Sequence, residues 1–492
     1  MFGQISGFRK TPALTVPNTT PVDAGDSNQT KPAPKANLFP IGLWEFLPSL
    51  FLFVMIVAPP FAGTIGLYRS AMFLLIAHTV FSLCRNPVKV PRSLGIVLAL
   101  GTAFTAWSLV SAEFGIDPSY SLPRWFSEHL FVFLCFCGVT LNPYRYRLKM
   151  ILWAGILSTL CIAIGVMIDP FSAKSVPIPP EAMLKLWKVA YMKGFSSDIT
   201  WITSHMMLVH WIGMVAILLN SPRQLLFYGG LLSTFAGLWT VTQTFQIMAF
   251  FIVFVSTFVF LSIWIWKKYG RRGCWVIALF LVAGVACFAY RDLVVHPEKK
   301  TFHGILQLLR TGKTNNLHIQ SRINGICWAL KKCRERPLLG WGPGREILRK
   351  VEPKLFDVTE AAVALDAANH PPIGHLHNQY ADLLIRVGIP GLAAYLLFLG
   401  AILARGFRQH PLRQDWGKYP GAAFQLGALI SMMFALTRLL TETYPASSVG
   451  LQYWMVLAFA ALAPSAWDGS PLRPASPPRG SQMIRNTLSR PR

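Results

Sequence analysis

FIVFVSTFVFLSIWIWKKYGRRG, residues 251–273, is an apolar run closed by Lys267, Lys268, Arg271 and Arg272. A helix needs about 20 such residues to cross hydrocarbon. Cations at one end of a span mark its cytoplasmic side. Working outward, blocks of similar size recur near 41–59, 65–83, 93–111, 125–141, 150–168, 200–219, 224–241, 245–266 and 274–290. After the mostly polar stretch 291–376, three more follow near 388–404, 420–438 and 448–465. The pattern predicts an all-α polytopic membrane protein of about 12 transmembrane helices, with one large, partly helical outward loop between spans 9 and 10.

Composition agrees. The 492 residues are 53% hydrophobic and only 14% charged, against about 25% charged in soluble domains. The 46 Lys and Arg outnumber the 21 Asp and Glu, a net charge of +25. Much of that excess sits in short clusters between apolar blocks, so the positive-inside rule accounts for it and no nucleic-acid partner is expected. The alternate connections carry the cations: Arg85, Lys89 and Arg92; Arg145, Arg147 and Lys149; Lys267 to Arg272; Arg405, Arg408, Arg413 and Lys418. Cations on both tails place the termini in the cytoplasm and the 291–376 loop outside. Residues 1–37, rich in Pro, Thr, Asn, Ser and Lys, are expected to be a disordered cytoplasmic tail with no secretory signal. Residues 38–290 hold spans 1–9, 291–376 the loop, 377–466 an interfacial helix and spans 10–12, and 467–492 a basic cytoplasmic tail. The cysteines read as small hydrophobes; Cys327 and Cys333 fall on different faces of one helix, suiting neither a local disulfide nor a zinc pair.

The loop carries 14 Lys and Arg against 8 Asp and Glu, which is permitted because long loops escape the charge rule. Leu317, Ile319, Ile323, Ile326 and Leu330 recur at roughly helical spacing, which puts Arg322 near an apolar face. An arginine there wants an anionic partner. Pro337 stops that helix, and LLGWGPGRE (338–346) follows, a turn built on Gly340, Gly342 and Gly344 before a short helix near Arg345. Such turns can offer backbone N–H groups to phosphate, although most are structural.

HPPIGHLHNQYADLLIRVGIPG (370–391) carries the most information. Tyr380, Leu383, Leu384 and Val387 repeat at i, i+3, i+4, i+7, so the helix is amphipathic, and His377 lies on its buried face at the outer end. Imidazole accepts a proton near neutral pH. His370, His375 and His377 also raise a metal site, but their spacing beside prolines and the lack of an HExxH motif make it the weaker reading, and neither metal nor cofactor is expected. Polar residues inside the spans include Glu45, Arg69, Glu128, His129, His205, His210, Gln243, Gln246, Arg438 and Glu442. Glu45, Arg69 and Glu128 lie near span ends and read as snorkelling or ion-paired groups. Arg438 and Glu442, spaced i, i+4, read as a pair at the outer end of span 11, structural or catalytic.

In order, SRINGICWALKKCRERPLLGWGPG (321–344), HNQYADLLIRVGIPG (377–391) and LTET (440–443) resemble the O-antigen ligase and polymerase superfamily of bacterial envelope glycosyltransferases. The resemblance covers about residues 316–445. It implies transfer of a glycan from a polyprenyl diphosphate carrier to a sugar hydroxyl, on lipid A core or a growing polysaccharide, at the periplasmic face of the inner membrane. It further implies that Arg322 holds the diphosphate, that His377 orients or deprotonates the acceptor, and that Asn378, Glu442, Gly342 and Gly344 support them. In TQTFQIMAF (242–250), Phe245 stands where the family often has an arginine, so a second diphosphate contact falls to Arg438, Lys300 or Arg345. The motifs do not separate ligase from O-antigen or exopolysaccharide polymerase; ligase chemistry is narrowly preferred. A transporter or lipid flippase is the alternative of another class, expected to show internal repeats or broken, charged helices at mid-membrane.

Overall fold

The computed structural model describes residues 41–58, 65–168, 199–243, 247–273, 307–312, 317–344, 346–352, 376, 378–440 and 448–467, with five isolated helical positions between 275 and 286. Every element among them is helical: α1 (Ile41–Val57), α2 (Ile65–Arg85), α3 (Arg92–Glu113), α4 (Pro118–Trp125), a π-turn (Phe126–Leu130), α5 (Phe131–Thr140), α6 (Leu148–Ile168), α7 (Ile199–Leu219), α8 (Leu225–Gln243), α9 (Ile247–Tyr269), α10 (Leu317–Glu335), α11 (Glu346–Val351), α12 (Gln379–Arg408), α13 (Pro420–Arg438) and α14 (Ser448–Ala461). Six of these are long and apolar enough to cross a membrane, and Gly42–Val57, Val209–Leu219 and Leu225–Val241 are shorter apolar helices. The molecule is a multi-pass membrane protein. The expected ninth span, 274–290, falls largely outside the described residues.

Lipid-facing helices pack by close shape fit rather than by hydrophobic drive between them. Here aromatic rings supply much of it: Phe398 of α12 meets Phe136 of α5 edge-on at 5.3 Å and Trp454 of α14 at 5.5 Å. Gly101 of α3 leaves room for the Phe133 and Phe398 rings.

The connections sort into two ends. At one, Lys267 donates to the Gln414 carbonyl at 2.8 Å, Arg405 reaches Ser93 and the Ala461 carbonyl, Gln425 donates to Leu462, and the Tyr146 N–H donates to Ala466. At the other, the Ile116 N–H donates to Trp341 at 3.1 Å, Lys350 pairs with Asp117, and the Gln379 N–H donates to Leu439 at 2.8 Å. The clusters that alternate along the sequence thus gather at a single end, here termed inner, and the motif-bearing segments gather at the outer end.

α12 is two limbs joined by a break. Gly388 sits at φ 70°, ψ −176°, and Pro390 cannot donate to the carbonyl of residue 386. An interrupted helix in a membrane must find other partners for the carbonyls it releases. The loop supplies most of them. The Trp341 N–H donates to Ile385 at 2.8 Å and the Gly342 N–H to Arg386 at 2.9 Å; Ser111 Oγ also donates to Arg386 at 2.6 Å, and Trp107 Nε1 to Val387 at 2.9 Å. In return, the freed Ile389 N–H donates to the Pro337 carbonyl at 2.8 Å. Residues 336–342 therefore form a strap across the break. Gly340, at φ 68°, is required twice, because a Cβ there would also strike the Arg386 carbonyl; one at Gly388 would strike that of Leu338.

Candidate functional site

The outer limb of α12 begins at Asn378, which is buried and caps the helix: its Oδ1 accepts from the Ala381 N–H at 2.9 Å. Its Nδ2 donates to the Leu440 carbonyl at 3.1 Å, and Tyr380 Oη donates to the Leu436 carbonyl at 3.0 Å. The start of α12 is thereby tied to the end of α13, where Arg438 is wholly buried. Asn378 holds that junction. His377, Arg345 and Glu442, with His370 and His375, lie outside the described residues. α13 ends at Arg438, and the expected pairing of Arg438 with Glu442 lies outside the described residues.

From the other side comes α10. Among its described side chains the buried positions are Gly325, Ala329 and Cys333, one turn apart, while Leu330 is 51% exposed, so over 322–335 the buried face lies one position away from the expected one. Cys327 is exposed and Cys333 buried, as their spacing requires. Ala329 packs with Leu348, Leu376, Ala381 and Ile385, and Ile326, Trp328 and Trp341 flank them. This small core seats the loop helix on the outer limb. Arg322, half-buried, lies one turn before Ile326 and seven residues before Ala329, on the face turned toward α12. Two segments therefore converge on the start of α12, beside Leu376: α10, which carries Arg322, and the end of α13, which carries Arg438.

Part of the glycine turn serves the fold. The N–H groups of Trp341 and Gly342 are spent on α12. A Cβ at Gly342 would meet Ser121 Oγ, and one at Gly344 the Tyr120 ring, so these glycines let the turn lie close on α4.

Two residues at this end escaped the sequence reading. Arg386 lies on the outer limb, its side chain 14% exposed; it pairs with Asp382 at 3.0 Å and, at 3.8 Å, with Glu128 in the π-turn. Glu128 also meets Arg124 at 3.8 Å, so the ion-paired reading of Glu128 is correct. The spacing of Asp382 and Arg386, i and i+4, was a readable signal. Their partner, more than 250 residues away, was not. Outside the membrane, Asp117 caps α4, and Lys350 first, then Ser119 and the Tyr120 N–H, hold its carboxyl down at about 2.

No curated protein matches the chain. Residues 228–396 match a family model described as O-antigen ligase. That match takes in Arg322, the strap, the break and the outer limb, and stops short of Arg438. The match supports a likeness of this region to the O-antigen ligase and polymerase superfamily.

Proposed function

We propose that the protein transfers a glycan from a polyprenyl diphosphate carrier to a sugar hydroxyl at the outer face of the bacterial inner membrane, with both termini in the cytoplasm. The observation that carries this reading is the convergence of the Arg322 helix and the buried Arg438 on the start of α12, next to His377 in sequence. Guanidinium forks suit a diphosphate, and charge on the departing group grows toward the transition state. Arg322 and Arg438 hold that group, with Arg345 as the third candidate cation. His377 takes the proton of the acceptor hydroxyl as its oxygen bonds to the anomeric carbon. As that bond forms, the bond from the anomeric carbon to the carrier oxygen breaks, and the lipid diphosphate leaves with the electron pair. No residue in this scheme requires a metal or cofactor.

Ligase and polymerase share this chemistry and differ in acceptor: lipid A core for the first, a growing chain for the second. Mass analysis of surface glycan in a deletion strain separates them. Long free lipid-linked chains are expected for a lost ligase and single repeat units for a lost polymerase; unchanged glycan overturns both. The orientation is checked with a periplasm-dependent reporter, expected to be active after Lys313 and silent after Arg492.

A further inference from the structure

The inner end holds a cavity of about 390 Å³ between the ends of α7 and α9 and the connection that leads into α13. Leu218, Trp264, Lys267, Lys268, Asp415 and Trp416 line it. The Lys267 ammonium lies 3.8 Å from the Trp416 ring centroid while donating to the Gln414 carbonyl at 2.8 Å. The Lys268 ammonium stands 5.0 Å from the Trp264 centroid and 5.3 Å from that of Tyr269. Each cation is thus held over an indole face, with N–H groups left to donate. The one carboxylate, Asp415, accepts the Gly417 N–H at 3.0 Å through Oδ1. Two ammonium groups against one engaged carboxylate leave the cavity positive.

Its position decides the ligand. Lys267 and Lys268 occupy the last turn of a membrane-crossing helix, where phospholipid headgroups surround the protein. Indole rings and Leu218 offer a wall for the apolar part of such a molecule, and basic pockets between helices on this side of a membrane suit anionic headgroups. We propose that this cavity seats the phosphodiester headgroup of an anionic phospholipid, a clip joining α9 to the 409–419 connection. The assignment stands apart from the glycan chemistry at the outer end.

The test uses the full chain in neutral detergent with phosphatidylcholine, titrated with phosphatidylglycerol while thermal unfolding is followed. Saturable stabilisation by phosphatidylglycerol is expected. Removing one cation near the phosphate is expected to weaken it about fivefold, from roughly 1 kcal/mol per lysine. Lys268→Gln should show that loss; it contacts only rings, so it leaves the Lys267 hydrogen bond in place. Lys267→Gln/Lys268→Gln should lose about 25-fold if the two act independently, and Lys89→Gln, in another basic connection, should behave as wild type. Equal titration of wild type and the double variant overturns the proposal, as does equal stabilisation by phosphatidylcholine. Equal protection by millimolar inorganic phosphate overturns the lipid assignment in favour of a free anion.

Discussion

α12 carries an arginine with a largely buried side chain in each limb, and the two are satisfied in different ways. Arg405, at the inner end, gives its Nε–H to the Ala461 carbonyl at 2.7 Å and a further N–H to the Ser93 hydroxyl. Its partners are neutral, and together they staple α12 to α14 and α3. Arg386, in the outer limb, faces two carboxylates, Asp382 in its own helix and Glu128 in the π-turn between α4 and α5. Neutral partners suit an anchor close to water. A charge network drawn from separate elements, at a π-turn of the kind that gathers at functional sites, fixes one helix relative to another. The comparison teaches that counting cations locates the ends of the bundle, while their partners distinguish an anchor from a site.

Replacing each arginine by methionine breaks the comparison most directly. Arg386→Met leaves Asp382 and Glu128, both largely buried, without their shared cation, and removing one member of a buried pair costs about 3–5 kcal/mol. Arg405→Met leaves a carbonyl and a hydroxyl, at about 1.5–3 kcal/mol. Thermal unfolding in detergent should rank the two in that order; equal losses would show the outer network to be no more than a second staple.

His377→Ala sharpens the same contrast on the rate. If the outer end is where chemistry occurs, this variant should lose on the order of 10²-fold in transfer while keeping donor binding, because only the proton acceptor is gone. His370→Ala and His375→Ala should retain most activity. An active His377→Ala at normal protein level returns this histidine to packing. Recovery of all three variants with added zinc would instead favour a metal site.

The guanidinium fork offers a smaller, more specific test. Arg322→Lys keeps the charge and loses the planar donor geometry, so its transfer should remain well below wild type at equal protein level. Near-normal transfer would remove Arg322 from the diphosphate.

Much of this was legible because it is periodic or punctuated. Hydropathy located the six long apolar helices and three shorter ones among the described residues, VGIPG marked the limb boundary at Gly388, and Pro337 marked the end of α10. The strap's role was not legible. GWGPG announces a turn, but the carbonyls it serves are released some 45 residues later and are visible only once the helix is seen to break. Arg386 drew no reading because Glu128, its second carboxylate, is distant in sequence. The π-turn likewise has no signature in the run FSEHL, which an α-helix would accommodate equally well.

The smallest expected effect lies where the loop meets the α3–α4 connection. Asp117 is partly exposed and paired with the exposed Lys350 of α11, and its carboxyl is held at about 2, chiefly by that lysine. A folded value below the ordinary carboxylate range of about 4 means the pairing contributes fully above that range and is lost as pH falls from about 4 toward 2. Nothing from this group should change between pH 8 and 5. Hydrogen exchange of residues 118–122 in the full chain, corrected for the intrinsic rate, should therefore be flat across neutral pH and lose protection by a few-fold at most near pH 3, since the pair is open to solvent and salt. Asp117→Asn isolates the ion pair, because asparagine still caps a helix. That variant should show the reduced protection already at pH 7, with little further change in acid. Unchanged exchange in Asp117→Asn at neutral pH would mean that the strap alone, through the Ile116 hydrogen bond to Trp341, holds the loop to this connection.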